Sequence, residues 1–257
     1  MANRPIDVDK KQSIIDLFLK RNKYDLVDKY VINDGKKHPF AILVPGGGYH
    51  MVCSFIEGVP IAKKLNEKGI SAFILYYRVA KKGRYPIPQD DLARAVRYVF
   101  ENSDRYNLET DNYSIWGSSA GGHLVGSFGT ENMGYPKYNL PKPGCLVLIY
   151  PVISMTKELT HIGSHDNLLG KDASIELEEE TSVEKHVDNN YPKTFIWTSK
   201  NDTTVDYRNT LVMEKVLKEN NVPVQCHVYE GDLHGTGPAT GTVAEGWIDK
   251  AINFWRG

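Results

Sequence analysis

Short apolar runs alternate with amphipathic stretches along most of this chain. Phe40-Ala41-Ile42-Leu43-Val44 is a continuous apolar run closed by Pro45-Gly46-Gly47-Gly48. That is the pattern of a strand buried on both faces and feeding a glycine loop. Ser71 to Tyr77, Asn112 to Trp116, Cys145 to Tyr150, Thr194 to Thr198 and Val224 to Tyr229 read as further strands. Between them, apolar positions recur at helical spacing: Val59 to Lys68, stopped at Gly69, then Asp90 to Asn102, Ser119 to Phe128, Val205 to Asn220 and Val243 to Trp255. Strands alternating with helices predict an α/β fold with a mostly parallel, doubly wound sheet.

Two stretches break the rhythm. Residues 1 to 28 are charged, with one amphipathic segment at Ile14 to Leu19, and read as an arm leading into a short strand near Tyr30-Val31-Ile32. Ser154 to Asn190 is polar, acidic around Glu176 to Glu180 and weakly helical, and it reads as a cap inserted over the C-terminal edge of the sheet. With no internal repeat, low-complexity tract or interdomain linker, residues 1 to 257 are expected to form a single domain with that small cap.

The chemistry concentrates at Ile115-Trp116-Gly117-Ser118-Ser119-Ala120-Gly121-Gly122-His123-Leu124. A strand, a G-x-S-x-G turn and a helix in succession form a nucleophile elbow, which holds one serine exposed at the tip of a tight turn. Glycines flank the serine because a Cβ at those positions would collide with neighbouring backbone. A serine hydroxyl is a weak nucleophile near neutral pH, so it needs a histidine base and usually a carboxylate to orient that base. On such a sheet the chain order is serine, acid, histidine, each in a loop after a strand.

Asp202 follows the strand ending at Thr198, and His234 follows the strand ending at Tyr229. The plainer alternative for Asp202 is a turn or helix-capping residue. Asp206 competes with it but suits the N-cap of the next helix, while Asp232 stands too near His234 in sequence to be its partner. His123, directly after the elbow, reads as a structural histidine beneath the serine. The oxyanion donors are expected to be the Ala120 amide and the amides of Gly47 and Gly48, where glycine lets backbone approach a substrate.

Composition narrows the classes further. A net charge of -1 gives no electrostatic reason for nucleic acid or an anionic membrane as partner. The chain shows neither a secretory h-region at its start nor a run of membrane-spanning length. Cys53, Cys145 and Cys226 are odd in number and scattered, which fits reduced thiols in a cytoplasmic protein. Neither glycine cluster carries a phosphate-loop or dinucleotide fingerprint, so no cofactor is expected. His161 and His165 have a helical spacing compatible with zinc, but no third ligand accompanies them in a metalloenzyme pattern, and no metal is expected. The four tryptophans serve either the core or an oligomer interface.

Pro45-Gly46-Gly47-Gly48-Tyr49, Tyr76-Tyr77-Arg78-Val79, Tyr85-Pro86-Ile87-Pro88 with Asp91, and Gly117 to Leu124 occur in that order. The set resembles the α/β-hydrolase esterases of the bacterial xylan esterase and acetylesterase (lipase/esterase-like) family. The resemblance runs from about Phe40 to the C-terminus, with Pro45 standing where lipases carry the histidine of H-G-G-G. It implies the α/β-hydrolase fold, hydrolysis of small acyl esters such as acetylated sugars, and Ser119, Asp202 and His234 as the triad. Glu57, Arg78 and the Ser154 to Asn190 segment are expected to shape the site, and Tyr49 either to line the acyl pocket or to pack. An arylformamidase-like or peptidase-like amide hydrolase would use the same three residues, and a non-catalytic binding protein on this fold is the alternative of a different class.

Overall fold

The computed structural model describes residues 26–257, so the segment Ile14 to Leu19 lies outside the described residues. Seven strands form one sheet: β1 (Val27–Tyr30), β2 (Phe40–Val44), β3 (Ser71–Leu75), β4 (Ser114–Ser118), β5 (Cys145–Ile149), β6 (Thr194–Ser199) and β7 (Val224–Tyr229). Their spatial order is β1-β3-β2-β4-β5-β6-β7. Only β1 runs antiparallel, against β3, and the other pairs are parallel. The helices are α1 (Ser54–Glu57), α2 (Val59–Glu67), α3 (Ile87–Glu101), α4 (Ala120–Phe128), α5 (Ile162–Leu168), α6 (Ile175–Thr181), α7 (Arg208–Glu219) and α8 (Trp247–Arg256).

The continuous apolar runs are explained by burial on both faces of the sheet. Phe40, Ile42, Val44 and Phe73 point into a core shared with Leu92, Val96, Leu124 and Phe128 of α3 and α4. Ala41, Leu43 and Trp116 point the other way, onto Leu65 of α2 and Trp247, Ala251 and Trp255 of α8. All four tryptophans are at most 1% exposed, so they belong to the core. No helix among the described residues is long and apolar enough to cross a membrane.

Among the boundaries that differ from the sequence reading, three have a clear local reason. The first strand is Val27–Tyr30, and Ile32 instead donates its amide to Ser71 Oγ at 3.1 Å. The seventh helix starts at Arg208 because the amides of Thr204 and Val205 are held by Asp202 Oδ1, at 2.8 and 2.9 Å. The last helix starts at Trp247 because Gly246 takes a left-handed φ of 82° that no right-handed helix admits. The inserted segment between β5 and β6 carries α5 and α6. Their first turns are capped by His161 and Ser174, which accept from the amides of Ser164 and Leu177.

Candidate active site

Ser119 occupies the sharp turn between β4 and α4 with φ 54° and ψ -122°, a strained conformation for a residue with a side chain. The surroundings hold it there. Its amide donates to the Ile149 carbonyl at 2.9 Å, and its carbonyl accepts from Val152 at 3.1 Å. A Cβ on Gly117 would strike the Gly121 carbonyl oxygen, and one on Gly121 would strike that of Val44. Both elbow glycines are therefore steric requirements.

His234 Nε2 lies 3.0 Å from Ser119 Oγ, and His234 Nδ1 lies 2.8 Å from Asp202 Oδ2. Asp202 is fully buried at its side chain, and its second oxygen accepts the amides of Thr204 and Val205. An ionised carboxylate only accepts hydrogen bonds, so the imidazole carries its proton on Nδ1 and turns the Nε2 lone pair toward the serine hydroxyl. The competing carboxylates are engaged elsewhere. Asp206 binds the guanidinium and amide of Arg208, and Asp232 accepts from the Thr203 hydroxyl.

The glycine loop after β2 runs directly against the serine: a Cβ on Gly46 would come within 2.8 Å of Ser119 Cβ. Gly47 closes the turn by accepting from His50 and Met51 at 2.9 and 3.1 Å. Among the described residues, the amides of Gly47, Gly48 and Ala120 meet no protein acceptor. They are free to donate to a bound group, and that of Ala120 lies at the positive end of α4.

Glu57 and Tyr150 brace this arrangement from below. Glu57 accepts from the Gly46 amide at 2.7 Å and from the Tyr150 hydroxyl at 2.9 Å. Tyr150 in turn packs its ring 4.7 Å from that of His234. Burial pushes the Glu57 carboxyl up, opposed by those two hydrogen bonds and by the His234 charge. Sequence reasoning assigned Glu57 a shaping role and missed Tyr150, whose place immediately after β5 was the available signal. Arg78 lies in a bidentate pair with the buried Asp91, which fixes the chain after β3.

Of the two roles expected for Tyr49, packing is the one its surroundings display. It is fully buried, its hydroxyl 2.8 Å from His123 Nδ1 and its ring edge-on to those of Tyr77 and His123. It packs against Tyr77 and His123. His123 Nε2 lies 2.8 Å from the Thr181 carbonyl, which ties the elbow helix to the inserted segment. His165 is clamped between Asp166 and Glu178, one on each ring nitrogen at 3.0 Å, while His161 Nδ1 faces Ser164. The two histidines therefore have separate partners. His161 lies beside the glycine loop, with its Cε1 3.7 Å from where a Gly48 Cβ would stand, a proximity that spacing alone did not reveal.

The chain has relatives among known proteins. Endo-1,4-beta-xylanase B of Butyrivibrio fibrisolvens is 34% identical over 227 residues, 85% of this chain and 35% of that protein. The acetylxylan esterase of Xylanibacter ruminicola is 36% identical over 129 residues, 50% of this chain and 26% of that protein. The chain thus spans about a third or less of the curated relatives it matches. Among solved structures, the acetyl ester-xyloside bifunctional hydrolase of Caldicellulosiruptor lactoaceticus is 32% identical with a TM-score of 0.80, over 93% of this chain and 94% of that one. The fold is the α/β-hydrolase fold. A family pattern covers residues 27–217 from β1 into α7, and by that match the chain belongs to the BD-FAE family.

Proposed function

We propose that the protein is a serine carboxylic-ester hydrolase that removes small acyl groups, chiefly acetyl, from sugars such as xylo-oligosaccharides. The observation that carries this reading is the hydrogen-bonded chain from Ser119 through His234 to Asp202 at a strained elbow. The relatives named acetylxylan esterase and acetyl ester-xyloside bifunctional hydrolase support the acetylated-sugar substrate. A cavity of about 640 Å³, lined by His50, Lys81, Arg84, Asn167, Leu169 and Asp172, lies next to the glycine loop. Asn167 joins the two regions, since its amide donates to the Gly48 carbonyl at 2.9 Å.

In this mechanism Ser119 Oγ attacks the ester carbonyl carbon while His234 Nε2 takes its proton. Asp202 holds the imidazole tautomer, and the amides of Ala120 with Gly47 or Gly48 bind the oxyanion. His234 then protonates the departing alcohol. Water, deprotonated by the same histidine, attacks the acyl-serine and releases the carboxylic acid. The segment Ser154 to Asn190 caps the site, and the three free cysteines favour a reducing cytoplasm.

The test is hydrolysis of p-nitrophenyl acetate, butyrate and octanoate by the wild type and by Ser119→Ala, followed by acetylated xylo-oligosaccharides. Turnover that falls with acyl length and drops by about 10⁶-fold in kcat without the serine is the expected outcome. No turnover of any ester, or turnover that survives in Ser119→Ala, overturns the reading and moves amide substrates to the front.

A further inference from the structure

His161 caps α5 at the rim of the site, and its ring chemistry is dictated by its neighbours. The Ser164 amide donates to Nδ1 at 3.3 Å, and the Ser164 hydroxyl lies 2.9 Å from the same atom. A backbone N–H only donates, so Nδ1 is an acceptor and the proton of the neutral ring sits on Nε2. Among the described residues, that N–H meets no acceptor. The Cε1 corner beside it faces Gly48, at 3.7 Å from the position of a Gly48 Cβ. Burial first, and then the His234 charge, push the His161 pKa down, opposed by Asp202, so the ring stays neutral and within electrostatic reach of both.

We infer that His161 forms a hydroxyl-binding subsite for the alcohol half of the ester, its Nε2–H donating to a free hydroxyl next to the acylated one. The ester carbonyl oxygen is already matched to the glycine-loop and Ala120 amides. An acetyl group has no other polar atom, so the remaining acceptors in the substrate are on the alcohol. An alcohol lacking the neighbouring hydroxyl forgoes that hydrogen bond and the discrimination it supplies. The ligand class is therefore a monoacylated vicinal diol, as in a partly acetylated pyranose, in preference to a simple alkyl or aryl ester. This inference rests on the ester-hydrolase reading given above.

The experiment compares 2-hydroxyethyl acetate with ethyl acetate, using the wild type, His161→Asn and His161→Leu. Asparagine keeps a capping acceptor for the Ser164 amide but withdraws the donor from the site, so α5 is retained. In both variants kcat/KM for the hydroxylated ester is expected to fall at least tenfold more than for ethyl acetate, with the difference in KM. Equal losses on both esters, or no loss on either, overturn the subsite. Wild-type failure on both acetates instead overturns the esterase reading, and the subsite with it. Thermal unfolding identifies a variant that has lost its fold, in which case the remaining variant decides by the same ratio.

Discussion

His123 offers a pH-dependent stability that can be worked from the structure. It is fully buried in α4, accepts at Nδ1 from the Tyr49 hydroxyl and donates from Nε2 to the Thr181 carbonyl, both at 2.8 Å. Both nitrogens are satisfied only while the ring is neutral. Burial pushes its pKa from 6.5 down to about 4, opposed by the bond to Thr181. Above pH 6.5 the residue is neutral in both folded and unfolded chains and contributes nothing to the pH dependence. Between pH 6.5 and about 4 the unfolded chain binds a proton that the folded chain refuses, so stability falls as pH falls. Integrating the two titrations gives a loss of about 1 kcal/mol at pH 5.5 and on the order of 2–3 kcal/mol at pH 4.5, relative to pH 7.5. Against a typical total of about 5–15 kcal/mol, that is a large share.

The perturbation is His123→Gln, which stays neutral at every pH and removes this one titration. Urea unfolding at pH 7.5, 5.5 and 4.5, followed by fluorescence of the buried tryptophans, reads the free energy at each pH. The glutamine variant is less stable at pH 7.5, but its further loss on acidification is expected to be smaller than the wild type's by roughly 2–3 kcal/mol at pH 4.5. Comparing the two slopes cancels every other carboxylate and histidine in the chain. Parallel pH curves for the two proteins would refute the reasoning.

Two substitutions probe the proposed chemistry more directly. Asp202→Asn keeps one oxygen for the Thr204 and Val205 amides but turns an NH₂ toward His234 Nδ1. That reverses the imidazole tautomer and puts N–H against Ser119 Oγ, so kcat on p-nitrophenyl acetate is expected to fall by about 10⁴-fold. A loss under tenfold would remove Asp202 from the mechanism. Gly46→Ala brings a Cβ within 2.8 Å of Ser119 Cβ and of the Ser118 carbonyl, and within 2.9 Å of Glu57 Oε2. The glycine loop must move away from the serine, and kcat/KM is expected to drop by about 10²-fold. Unchanged kinetics would show that the loop is not tightly seated against the nucleophile.

Much of the site was legible before any coordinates, because its demands are local. The spacing of Gly117, Ser119 and Gly121 follows from contacts within one strand, one turn and one helix, and a pattern of small residues records them. Apolar runs of five residues, such as Phe40–Val44, reported strands covered on both faces. Post-strand positions late in the chain picked out Asp202 and His234 from several competing acids and eight histidines. The residues left open or missed are those whose roles depend on a distant partner. Tyr49 had the size and place of a pocket residue, yet its hydroxyl bonds to His123, 74 positions away. Tyr150 read as the last residue of a strand, and its partner Glu57 is 93 positions earlier. His161 and His165, at a helical spacing where no metal was expected, have separate neighbours in Ser164 and in Asp166 with Glu178.

The chain's pattern by itself determined the alternation of strands and helices, the elbow, and the order in which serine, acid and histidine appear. Side-chain periodicity and turn sterics act over a few residues, so they are written into adjacent positions. Only the tertiary structure decided which loops meet. The sheet order β1-β3-β2-β4-β5-β6-β7 sets β2, β4 and β5 side by side, which brings the glycine loop, the elbow and Tyr150 together at one edge. The inserted segment then reaches back across it, with Asn167 bound to Gly48 over a separation of 119 residues. Such contacts depend on how whole elements pack, and local sequence carries no signal for them.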